Sequence, residues 1–135
     1  MKILEYTFQH LAGFGETKER ELWKKNIFTW DDFEKVDMRA GTIISAEDFP
    51  KARKPSYILT IDFGEAGIRK SSAQITHFYS KEELIGLQVI AVINFPEKQI
   101  ANFFSQCLVL GVYTPGKEVV LLSPLQKIHN GAKVG

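Results

Sequence analysis

An all-β fold with short helices is what the chain predicts, and three observations carry that expectation. Six apolar, β-branched segments lie between residues 36 and 124, separated by turns marked with Gly or Pro. One miniature helix, SKEELIG at 80–86, stands between the third and fourth of them. The resulting order is three strands, a short helix, two strands and a terminal strand. That order fits an OB-fold, a five-stranded Greek-key barrel with a helix between its third and fourth strands. Here it carries an N-terminal extension and a C-terminal strand addition.

The elements follow in order. Residues 1–27 form an arm too short to fold alone. ILEYTF is a short strand or an irregular apolar segment, and ETKERELWKKN is a charged helix. Tyr6, Phe8, Phe14 and Trp23 of this arm need a surface, either the main domain or a partner subunit. The main domain is placed at 28–135. In TWDDFEK, Thr29 and Asp32 have capping-box spacing, which predicts one helical turn over 30–35. VDMRAGTIISAE changes its alternation near Gly41, which predicts a long strand with a bulge or bend there. FPKARKP is a loop, YILTIDFG a second strand, EAG a tight turn and IRKSSAQI a third strand. Ser80 and Glu83 box the next helix, with Gly86 at its C-cap. LQVIAVINF is an apolar fourth strand, CLVLGVY the fifth and EVVLLSP the sixth, and IHNGAKVG closes with an Asn-Gly turn.

Composition narrows the function. With 135 residues, 44% hydrophobic and 24% charged, the chain resembles an ordinary globular domain. No apolar run approaches the roughly 20 residues of a membrane helix, and no basic-then-apolar leader is evident, so no membrane insertion and a cytoplasmic location are expected. One cysteine, Cys107, excludes an internal disulfide and reads as a small core residue. Net charge is only +1, yet residues 51–81 hold six basic side chains against two acidic ones. A local basic stretch can attract phosphate even when the total is near zero; solvated loop charge is the plainer alternative.

Catalytic and metal signatures are not found. His10, His77 and His129 lie in three separate segments without ligand spacing. Neither a P-loop nor a nucleophile elbow occurs. Asp31, Asp32, Glu34 and Asp37 are acids at a helix start, where the helix dipole accounts for them. A binding module without enzyme activity, cofactor or metal is expected.

Seven segments carry a resemblance: FEKVDMRAGTI, FPKARKP, IDFG, KSSAQIT, SKEELIG, INFPEKQIANFFSQCLVLG and VVLLSP. In this order and spacing they are similar to the CsaA family, free-standing relatives of a tRNA-binding OB domain appended to some methionyl- and tyrosyl-tRNA synthetases. The likeness covers about residues 28–135. It implies a homodimeric OB barrel that binds tRNA or structured RNA, or acts as a chaperone for unfolded, export-bound preproteins. It also implies functional positions at Arg39, Lys54, Ser72, Asn94 and Ser105. The family commonly has Gly where this chain has Asn102 and a charged residue where it has Phe104. Asn tolerates positive φ, so Asn102 is expected to keep the turn.

Chemistry gives the candidates their roles. Lys51, Arg53, Lys54, Arg69, Lys70 and Lys98 would attract phosphates. Ser72, Gln74, Asn94 and Ser105 offer donors and acceptors to backbone or base edges. An exposed aromatic among Phe95, Phe103 and Phe104 would add ~1–3 kcal/mol per stacked base. Each has a structural alternative. Phe95 and Phe103 read first as core. Phe103 and Phe104 point opposite ways on an extended chain, so one is exposed or lies in a dimer contact. Asn94 and Ser105 pin the loop through each other's backbone, or they bind a ligand. Arg39 contacts ligand, or it pairs with Asp37 or Glu65.

Overall fold

The computed structural model describes residues 29–135. The arm at 1–27 lies outside the described residues, as does His10. Helix α1, Trp30–Lys35, starts where Thr29 Oγ1 accepts the Asp32 amide at 3.2 Å and Asp32 Oδ2 accepts the Thr29 amide at 3.0 Å. This reciprocal box satisfies two helix-end donors that would otherwise be unpaired. Trp30 and Phe33 stack edge-on at 6.0 Å within the helix.

Residues 37–135 form a separate unit, built on one long strand. Strand β1, Met38–Asp48, pairs with β4, Gln88–Val92, through its first half and with β2, Tyr57–Asp62, through its second. Strand β3, Ile68–Ala73, extends the sheet beyond β2, and β7, Leu108–Val109, extends it beyond β4. The antiparallel order β3-β2-β1-β4-β7 makes a nearly closed five-stranded barrel of the OB type.

The bend of β1 differs from the expectation. Register shifts between Ile43 and Ser45, leaving Ile44 as the extra residue, half-exposed. Gly41 serves another purpose. A Cβ there would lie 2.6 Å from the Phe63 ring and 2.7 Å from Ile61, so only glycine lets β1 approach the core that closely.

The core follows from alternation. Tyr57, Leu59 and Ile61 of β2 point inward with Ile43, Phe63 and Val89. Helix α2, Lys81–Leu84, inserts Leu84, fully buried, into the same cluster. Burial of that side chain contributes about 1.5–3 kcal/mol. The Ser80–Glu83 box is formed as expected, and Gly86 adopts φ +89 behind the helix.

Several segments differ from the sequence expectation. The stretch after β4 folds back as a hairpin of β5, Lys98–Ile100, and β6, Phe103–Ser105. Its turn uses Ala101 at φ +53, not Asn102, as the left-handed residue. The expected fifth strand is interrupted at Leu110: after β7 the chain continues as β8, Gly111–Tyr113, which pairs with β9, Val119–Leu121. The third strand ends at Ala73, one residue short of Gln74. At the C-terminus, Ala132 accepts from the Ala40 amide at 2.9 Å, and Met38 accepts from Val134 at 2.9 Å. These bonds lay the last residues along the free side of β1. Among the described residues, no helix is long and apolar enough to cross a membrane.

Gly41→Ala should destabilise the barrel by about 1–3 kcal/mol, the cost of overpacking against Phe63. Chemical denaturation of the variant measures it, and an unchanged midpoint would show that β1 can shift to make room.

Candidate nucleic-acid interface

The barrel closes between β3 and the residues following β6, and side chains do much of the closing. Lys70 N–H donates to Gln106 Oε1 at 2.9 Å, while Gln106 N–H donates to Lys70 O at 2.8 Å. One glutamine thus supplies the donor and acceptor that a paired strand residue would. Ser72 N–H donates to Ser105 Oγ at 3.3 Å, and the buried Ser71 hydroxyl donates to Cys107 O at 3.0 Å. Burial pushes the Cys107 thiol up to about 11, so it is protonated and unreactive near neutral pH, as a core residue should be.

Beyond this seam lies a cleft of about 640 Å³. Its lining takes in Ser72 and Ala73 of β3, the following Gln74 and Ile75, and Phe95, Lys98 and Ile100 of the loop and hairpin after β4. Leu108 to Gly111 also line it, as do Tyr113 and Lys117 of the β8–β9 hairpin. The lining includes two lysines and no acid.

Five expected site residues meet in this cleft: Ser72, Gln74, Phe95, Lys98 and Ser105. Phe95 corrects the core expectation. Strand β4 ends at Val92 and Ile93 is the last buried residue, so the bend at Asn94 leaves Phe95 48% exposed on the rim. Ser105 lines the cleft but also holds the seam.

The other candidates are distributed differently. Lys51, Arg53 and Lys54 are exposed on the loop between β1 and β2, and Lys70 is exposed on β3. Phe49, at the base of that loop, stacks edge-on against Phe103 at 5.5 Å. That contact ties the loop to the β5–β6 hairpin and half-buries Phe103. Its neighbour Phe104 is 52% exposed and lies outside the cleft lining, so the opposed orientation of the pair is as expected.

Arg39 and Arg69 are engaged within the chain. Arg39 Nε donates to Asp37 Oδ1 at 2.7 Å and Nη1 to Gly131 O at 3.0 Å, so the partner is Asp37 and not Glu65. The same hydrogen bond holds the Asp37 carboxyl below the usual carboxylate range. Arg69 Nη1 donates to Ile93 O at 2.9 Å, fixing the start of the loop that carries Phe95. Asn94 Oδ1 accepts the Asp37 amide at 2.9 Å. Asn94 and Ser105 are therefore anchored to different partners rather than to each other.

Sequence reasoning missed Tyr113, 78% exposed, and Lys117. The signal available was the turn TPGKE between two apolar runs.

A family model described as "Putative tRNA binding domain" matches residues 38–133. The chain belongs to that family. Two crystal structures of CsaA chaperones are similar over 81% of the chain. The Bacillus anthracis str. Ames protein is 48% identical, with a TM-score of 0.77 and 99% of its own length covered. The Picrophilus torridus protein is 49% identical, with a TM-score of 0.76 and its full length covered. Methionine--tRNA ligase of Pyrococcus abyssi is 35% identical over 117 residues, or 87% of this chain. The chain spans 16% of that ligase, so the likeness concerns a binding domain and not the catalytic body. The family supports tRNA binding, and the sheet and loops described above are the surfaces OB folds use for oligonucleotides.

Gln106→Ala should loosen the seam. Loss of one net hydrogen bond of about 1 kcal/mol corresponds to roughly fivefold easier opening. Alkylation of Cys107 in the native protein reads this directly; equal rates in both proteins would mean that the backbone bond to Lys70 alone holds the closure.

Proposed function

We propose that this chain is a non-enzymatic, cytoplasmic RNA-binding module whose ligand is tRNA or a similarly structured RNA. The observation that carries the reading is the acid-free cleft, which joins two amines, several hydrogen-bonding side chains and exposed aromatics on the oligonucleotide face of an OB barrel. Lys98 acts inside the cleft. Lys51, Arg53, Lys54 and Lys70 extend the attraction along its flank, as phosphate contacts that position without reading sequence. Ser72 and Gln74 serve base or sugar edges, and Phe95 serves as a stacking surface. Arg39, Arg69 and Asn94 support the site by holding its backbone.

A second reading is favoured by the apolar part of the lining and by exposed Leu108 and Phe104. An extended segment of an unfolded or export-bound polypeptide would suit the same cleft, lying beside the end of β3. The solved relatives are named as chaperones, which supports this reading alongside the first. Competition separates them: if tRNA and an export-signal peptide displace each other, one surface serves both.

The proposal includes a homodimer, with residues 1–27 as a stabilising arm. Two copies would present two basic clefts to one folded RNA.

Binding to bulk tRNA should weaken steeply with salt, and Lys54→Ala should reduce the slope of log K against log salt by about 0.7–0.9. Affinity that is absent at low salt, or flat across the titration, would remove the RNA reading. Deleting residues 1–27 should raise the dimer dissociation constant in analytical ultracentrifugation, and an unchanged value would show that the arm is no interface.

A further inference from the structure

The β8–β9 turn carries a local conformational cost at Lys117. Thr114 O accepts the Lys117 amide at 2.9 Å, and the Thr114 amide donates to Glu118 O at 2.9 Å. This geometry closes the turn with Lys117 in the left-handed region at φ +66. Glycine is the residue suited to that position, because a left-handed L-residue costs about 1–2 kcal/mol. The chain has a glycine one position earlier, Gly116, which is not left-handed.

Closure of the hairpin accounts for the left-handed backbone but makes no use of the Lys117 amine. It is exposed and has no ion-pair partner among the described residues. The adjacent carboxylate is occupied elsewhere. Glu118 Oε1 accepts the Thr114 hydroxyl, and Oε2 lies 3.6 Å from His77 Nε2. A lysine standing where glycine would serve the turn, in the lining of a cleft, points to a role for its amine. In the lining of the same cleft, Lys98 is exposed and has no ion-pair partner among the described residues.

Resting on the RNA reading above, we propose that the cleft holds one unpaired nucleotide, with Lys117 and Lys98 taking its flanking phosphates and its base lying between Phe95 and Tyr113. The volume fits this occupant. A cleft of about 640 Å³ is within the roughly 300–1,000 Å³ of sites for small molecules, so it admits a splayed nucleotide and not a paired helix. The electrostatics fit too, since the lining has two cations and no anion. Ser72 of β3 and Gln74 just beyond it line the same space and supply hydrogen bonds to the base edge. The ligand is therefore RNA that presents an unstacked base, as in a loop or a single-stranded end.

Lys117→Gly tests this, because it relieves the backbone strain while deleting the amine. Thermal stability should be unchanged or higher, so lost binding is not lost folding. Three probes are used with both proteins: bulk tRNA, a short unstructured RNA oligonucleotide and a blunt RNA duplex. The variant should bind tRNA and the oligonucleotide about five- to tenfold more weakly, with a salt slope reduced by about 0.7 for the oligonucleotide. Duplex binding should not change, and Lys117→Arg should keep the wild-type affinities. Unchanged tRNA and oligonucleotide binding by Lys117→Gly would overturn the proposal and leave the RNA reading standing. An equal loss on the duplex would make Lys117 a general surface charge and overturn the cleft assignment. A wild-type chain that binds none of the three would remove both readings.

Discussion

The closure of β3 onto residues 105–107 is the constraint on which this molecule depends. A five-stranded sheet curled into a barrel must satisfy the outward backbone groups of its last strand. Continuous pairing with the fifth strand would do so. Here β7 is only two residues long, and β3 is served chiefly by Gln106 and Ser105. Side-chain closure shapes the rest. The seam ends at Ser72, and Ser72 and Ser105 belong both to it and to the lining of the cleft.

Two arginines hold the edges of that opening from behind. Arg69 reaches from β3 to Ile93 O, and Arg39 joins Asp37 to Gly131 O. Both are cations whose donors are turned inward to carbonyls and a carboxylate. In a basic protein surface such groups are easily counted as ligand contacts. Their geometry shows them acting on backbone position, whereas Lys70 and Lys98, also on strands, are exposed together with the lysines and arginine of the loops and turns. The result separates two inward-bonded arginines from an outward charge set made of Lys51, Arg53, Lys54, Lys70, Lys98 and Lys117.

Much of the frame was legible in sequence. Both capping boxes, at Thr29–Asp32 and Ser80–Glu83, are local patterns whose partners are three residues apart, so spacing alone identifies them. The β-branched alternation of YILTID correctly marks Tyr57, Leu59 and Ile61 as inward. The strand order followed from the position of one short helix. Less was legible where two segments meet. Gly41 suggested a bulge, but its reason is the Phe63 ring twenty-two residues away in sequence. Asn102 suited a left-handed turn by type, yet pairing of Ile100 with Phe103 placed the strain on Ala101.

By itself, then, the sequence determined the fold class, the order of its elements, the family and the pool of residues able to meet an RNA. These depend on periodicity, turn chemistry and motif order, all of which act over a few residues. Only the tertiary structure decided which members of that pool share a site. Phe95 is exposed because β4 stops at Val92, Arg39 turned to Asp37, and Lys117, outside that pool, joined the cleft lining from a hairpin some twenty residues past Lys98. Such assignments depend on where strands end and which edges meet, and long-range hydrogen bonding and packing settle those only once the barrel has closed.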